Sequence, residues 1–159
     1  MLNKVTEIIL NGGKITKLEA LNIIKCSVSD LCLGADKIRQ KFCNNKVDLC
    51  SIISGKGGNC SENCKFCAHS RYHSTGVKCY SFLNEDIILE DCKKHRDSGI
   101  NRYSIVTAGK NLVGADFKKA ISIYDKIHRQ LKNISLCASF GLLKYEQFKE
   151  LKKSGVIRY

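Results

Sequence analysis

The spacing of apolar positions changes character near residue 46. Before it, Leu18, Ala20, Leu21 and Ile24 recur at helical spacing, and the Asn11-Gly12-Gly13 break separates them from the apolar residues that precede it. This predicts two short helices within 3–25 and a third over 29–42. From 46 to 54 the pattern becomes a short apolar, β-branched run, VDLCSIIS, which suits a buried strand. Gly55-Lys56-Gly57-Gly58 follows as a flexible loop.

Further along, the two periods alternate. Helices are predicted over 84–98, 115–131 and 144–153, and strands over 101–107 and 134–139, with another strand starting at Val156. Asn84 and Asp86 suit a helix start, and Gly99 and Gly155 sit where helix C-caps belong. Strands alternating with helices of this length predict a parallel sheet wrapped by helices. The expected fold class is α/β: a partial TIM-type (β/α) barrel, with an N-terminal helical extension over 1–45 and about three and a half βα units over 46–159. A closed barrel has eight strands and about 250 residues, so the pattern accounts for part of one.

Composition narrows the setting. A 43% hydrophobic content fits an ordinary globular domain. No apolar run approaches the ~20 residues that span a bilayer, and acidic Glu7 stands where a leader peptide would carry basic residues. A cytoplasmic protein without membrane association is expected. The ten cysteines are then expected to bind metal or stay reduced rather than pair as disulfides. The net charge of +12 lies mostly after residue 100, on scattered lysines such as Lys118, Lys119, Lys152 and Lys153. Such scatter is typical of solvated helix faces, with nucleic-acid binding the lesser reading.

The strongest chemical signal is Cys60-Ser-Glu-Asn-Cys64-Lys-Phe-Cys67, a C-x3-C-x2-C spacing in a glycine-rich loop directly after a predicted strand. A cubane 4Fe-4S cluster is held by cysteine thiolates. Three of them leave one iron open for a substrate or cofactor. The alternative is structural zinc, which wants four closed ligands and would need His69 or Cys79 as the fourth. A small basic zinc module binding nucleic acid is therefore the reading from another class.

With Phe66 before its last cysteine, this loop resembles the signature of the radical S-adenosylmethionine (SAM) superfamily. The stretches GGNCSENCKFCAHS, RYSIVTAGK and LCASFGLLKYEQFKELKKSGVIRY are similar to the biotin synthase family, from about Val47 to Tyr159. The resemblance implies a 4Fe-4S cluster on Cys60, Cys64 and Cys67 whose open iron binds SAM. It also implies a 5'-deoxyadenosyl radical and sulfurtransferase chemistry converting dethiobiotin to biotin. Phe66 is expected near the adenine, and Thr107, Ala108 and Gly109 near the methionine end. A flavodoxin or ferredoxin-type electron donor and a homodimeric full-length enzyme are implied as well. Another radical SAM enzyme of the same branch, such as a maturase or mutase, is the runner-up.

The same resemblance implies an auxiliary 2Fe-2S cluster on three cysteines and an arginine. Cys137 falls on one of those positions, and Ser104 stands where another cysteine is usual. A hydroxyl is a poor ligand for such a site, which points to a variant auxiliary cluster or none, with Cys50 a candidate substitute. The remaining ligands and most substrate contacts would follow residue 159, so this chain alone is expected to be inactive in forming biotin. Cys50 on its simpler reading, with Cys26, Cys32, Cys43, Cys79 and Cys92, is expected to be a small buried hydrophobe. His69, His73, His95 and His128 are expected at the surface or behind the site. Tyr72 and Arg102 are expected near cofactor or substrate.

Overall fold

The structure, a computed structural model, describes residues 1–159. The chain divides into two compact units, Met1–Val47 and Asp48–Tyr159. The first holds helices α1 (Leu2–Leu10), α2 (Lys17–Ile23) and α3 (Val28–Cys43). Local chemistry starts two of them: Thr16 and Glu19 form a reciprocal capping box on α2, and the Ser27 side chain accepts from Asp30 N on α3. Helices α1 and α3 meet where Gly34 leaves room for buried Thr6; a β-carbon there would stand 3.0 Å from Thr6 Oγ1.

The second unit is a four-stranded parallel sheet in the order β1 (Cys50–Lys56), β2 (Arg102–Thr107), β3 (Ser135–Ser139), β4 (Val156–Arg158). Helices α4 (Glu85–Asp97), α5 (Gly114–Gln130) and α6 (Tyr145–Lys153) make the three crossovers. Side chains alternate across a strand. Tyr103, Ile105, Leu136 and Ala138 therefore face the helices, where they form one core with Ile88, Cys92, Ala120, Ile123, Tyr124, Ile127 and Leu151. Buried Tyr124 locks the middle of the sheet: its hydroxyl donates to Cys137 O at 2.6 Å and accepts from Ile105 N at 3.2 Å.

The other face of the sheet carries no helix. In register across it lie Ile52, Ser104 and Cys137 in one row and Cys50, Arg102 and Ser135 in the next.

Strand β1 departs from the sequence expectation, running 50–56 rather than 46–54. At its start, Leu49 O accepts from both Asn101 N and Arg102 N, Leu49 N donates to Asn101 Oδ1, and Asp48 pairs with Arg102. These contacts turn the chain instead of laddering it. At its end, Gly55 lets the backbone lie against Ile105, where a β-carbon would sit 2.7 Å from Ile105 Cγ2. Nor is the strand buried throughout: Ile52 is exposed because β1 is an edge strand and its row faces away from the helices. Four of the cysteines expected to be buried, Cys32, Cys43, Cys50 and Cys79, are exposed, and Cys26 is half-buried. Only Cys92, on the inner side of α4, behaves as a core residue.

Candidate functional site

Three connections leave the C-terminal ends of neighbouring strands and are stitched together there. Ala108 N, in the turn after β2, donates to Lys56 O at 2.8 Å, which fastens that turn to the base of the cysteine loop. Leu142 N, after β3, donates to Lys110 O at 2.8 Å, and Leu112 N donates to Phe140 O at 3.0 Å. Lys56 Nζ reaches Asp116 of α5 at 2.8 Å and braces the end of β1. Active sites of β/α barrels form at this end of the strands.

The cysteine loop is ordered by its own backbone. Cys60 N donates to His69 O at 2.8 Å, and Cys60 O accepts from Arg71 N at 3.0 Å, so the segment after the motif folds back on its first cysteine. Gly58 makes the entry: its φ is +70°, and a β-carbon would fall 2.3 Å from Cys79 Sγ, so only glycine fits. Its amide donates to His69 Nδ1 at 2.9 Å, which places the proton of a neutral His69 on Nε2. Cys67 N donates to Cys64 O at 3.0 Å, closing a tight turn over 64–67. Phe66 sits at the corner of that turn and is fully exposed.

The loop and the β2 turn enclose a cleft of about 410 Å³, within the usual range for small-molecule sites. Its lining includes Cys60, Cys64 and Cys67, the predicted Thr107, Ala108 and Gly109, and Glu62, His69 and Lys110. Gly109 has φ +128°, a conformation closed to side-chain-bearing residues. All ten cysteines are free thiols, and Cys60 is the most buried of the three in the motif. No group of three or more His, Cys, Asp or Glu side chains is spaced to share one metal ion. Around a cubane each thiolate takes its own iron, so its ligands stand farther apart than those of a single ion. The donor set fits such a cluster: three soft thiols, free of disulfides, open to one cleft.

The structure thus joins the three cysteines to the Thr107–Gly109 turn. It does not join Phe66 to them, since that ring lines no part of the cleft. Cys79, one of two candidate fourth zinc ligands, lies on a separate depression behind the loop. Ser104 and Cys137 are both buried and lie on the helix-free face of the sheet, away from the cleft lining. Arg102 pairs with Asp48, and Tyr72 lies outside the cleft, hydrogen-bonded by Arg71 at 3.2 Å. The sequence did not single out Glu62 or Lys110, and it offered His69 only as a fourth zinc ligand or as a residue at the surface or behind the site. Their only signal was position, inside the cysteine loop or just past the β2 turn.

Part of the basic surface is paired: Lys126 with Glu85, Arg129 with Asp125 and Lys149 with Glu146. No helix is long and apolar enough to cross a membrane.

The family model described as "Radical SAM superfamily" matches residues 56–159. Biotin synthases of Clostridium beijerinckii and Alkaliphilus metalliredigens are each 48% identical over 159 residues, covering 99% of this chain and 50% of the relative. That of Clostridium tetani is 43% identical over 160 residues, covering 98% of this chain and 49% of the relative. The chain spans about half the length of the curated relatives it matches. Among solved structures, HydG, a maturase of the FeFe-hydrogenase, superposes with a TM-score of 0.72 at 20% identity, covering 98% of this chain and 35% of HydG. That likeness shows the fold.

Proposed function

The chain belongs to the radical SAM superfamily, and from that premise we propose that it is the cluster- and SAM-binding portion of a biotin synthase, acting in sulfur insertion into dethiobiotin. The observation that carries this reading is the shared cleft: three motif thiols and the Thr107-Ala108-Gly109 turn line one cavity at the C-terminal ends of the strands. The 48% identity to biotin synthases favours sulfur insertion over the maturase chemistry in the name of HydG, to which the chain is 20% identical.

When bound, a 4Fe-4S cluster and SAM supply a one-electron cleavage of a carbon–sulfur bond that yields a 5'-deoxyadenosyl radical; the hard chemistry is theirs. The residues of this chain bind and orient. Cys60, Cys64 and Cys67 hold the cluster and leave its fourth iron open. Glu62 and Lys110 bring opposite charges to the same cleft, complementary to the ammonium and carboxylate of an amino-acid ligand. Gly109 brings backbone rather than a side chain to the ligand. His69, held by Gly58 through Nδ1, keeps Nε2–H as a donor. Phe66, unpacked within this chain, is free to cover an adenine.

The electron comes in this reading from a flavodoxin or ferredoxin-type protein, which the +12 charge would attract if the donor is acidic. A reducing cytoplasmic setting and a homodimeric full-length enzyme follow from the same resemblance, and dethiobiotin is the substrate. The test is SAM cleavage: the anaerobically reconstituted chain with dithionite is expected to release 5'-deoxyadenosine and methionine, and Cys64→Ala to abolish both. Equal release by Cys64→Ala, or none from the reconstituted chain, would contradict the reading.

A further inference from the structure

We propose that Tyr159 is a positioning residue for the cleft: its hydroxyl pins the turn after β3 and, through that turn, the wall that carries Lys110. The inference rests on the radical SAM reading only for the identity of the ligand; the pinned turn is argued from the rim of the sheet.

Two connections pair along that rim. Leu112 N donates to Phe140 O at 3.0 Å and Leu142 N to Lys110 O at 2.8 Å, so residues 110–112 and 140–142 run antiparallel beyond the ends of β2 and β3. Their backbones touch. At Gly141, whose φ is +74°, a β-carbon would stand 2.1 Å from Lys110 O. Lys110 and Leu142, on opposite sides of this seam, both line the cleft. The position of the Lys110 wall therefore depends on where 140–142 sits.

Tyr159, which follows β4, reaches back to that turn. Its hydroxyl accepts from Phe140 N at 2.9 Å and donates to Gly141 O, using both roles of a phenol at once. The Gly141–Leu142 peptide is the link: its C=O accepts from Tyr159 and its N–H donates to Lys110 O, so one planar group joins the phenol to the cleft wall. The ring is set edge-on against Phe148 of α6, with centroids 4.9 Å apart. Burial pushes the phenol up and the Phe140 amide pulls it down, with the balance upward, so the proton given to Gly141 O stays on the oxygen at neutral pH. A wall held in place before the ligand arrives spares the ordering cost on binding.

Tyr159→Phe keeps the ring against Phe148 and removes only the oxygen. Each chain is reconstituted anaerobically, and the SAM concentration that half-shifts the reduced paramagnetic signal is measured. Tyr159→Phe is expected to raise it roughly three- to tenfold, the worth of about one hydrogen bond, with iron per chain and the signal without SAM unchanged. In a Lys110→Ala background the same substitution is expected to raise it less than about twofold, because the two act through one wall. Gly141→Ala, which forces the seam apart from its other side, is expected to raise it too and decides the matter should Tyr159→Phe not fold. Hydrogen exchange of the reconstituted chain without SAM, read by mass spectrometry, should quicken over 110–112 and 140–142 in Tyr159→Phe and stay unchanged in β2. An unaltered half-shift concentration, a rise of the same size with and without Lys110, or unchanged exchange over 140–142 would overturn the assignment. Absence of any SAM shift, with exchange over 140–142 still quickened by Tyr159→Phe, would sink the proposed function and leave the pinned wall standing.

Discussion

Replacing Tyr124 by Phe removes one oxygen from the centre of the sheet. That hydroxyl serves two backbone groups at once, donating to Cys137 O at 2.6 Å and accepting from Ile105 N at 3.2 Å, and the side chain has no exposed surface. Water has no route to replace it. Leaving a buried donor or acceptor unsatisfied costs about 1–3 kcal/mol, so two of them cost roughly 2–6 kcal/mol. For a unit of about 100 residues this lowers the melting temperature by roughly 10 °C or more. Tyr103→Phe is the internal comparison. Its hydroxyl donates to Asp91 Oδ2 at 2.7 Å, and that half-exposed carboxylate is free to turn to solvent, so a loss of about 1 kcal/mol is expected. Urea unfolding followed by circular dichroism measures both. Equal and small losses for the two variants would refute the claim that Tyr124 completes the β2–β3 backbone.

Gly58→Ala should destabilise the cysteine loop by more than the ~1–2 kcal/mol of a left-handed residue, because the new carbon meets Cys79 Sγ; iron per chain after reconstitution should fall, and unchanged iron would contradict the loop geometry. Burial pushes the Cys92 thiol up, from 9.0 to about 12. A raised value means the fold keeps a proton that the unfolded chain gives up, so this stabilisation is intact below pH 9 and is lost as the pH rises towards 12. At pH 10.5 the loss is about 2 kcal/mol, and Cys92→Ala should flatten that part of the stability profile in urea titrations. Identical profiles for the two chains would count against it.

The βα alternation was legible because each helix and strand carries its own period: Ala120, Ile123, Tyr124 and Ile127 sit on one face of α5, and Tyr103 and Ile105 on one face of β2. The cysteine loop was legible as a local unit, since the backbone bonds that shape it lie within about fifteen residues. The limits of β1 were not. They depend on Asp48 finding Arg102 and Gly55 finding Ile105, some fifty residues away. The outward position of Phe66 was not legible either, because it depends on the backbone turn over 64–67. The exposed cysteines escaped for the same reason, because cysteine is hydrophobic by type and only the fold decides which side it faces.

The central claim is that Cys60, Cys64 and Cys67 hold a cluster with one iron open to SAM. Electron paramagnetic resonance of the anaerobically reconstituted, dithionite-reduced chain, recorded with and without SAM, addresses it directly. A reduced 4Fe-4S signal that shifts when SAM is added, and disappears in Cys64→Ala, is the expected result. A signal indifferent to SAM, or tightly held zinc without sulfide, would contradict it.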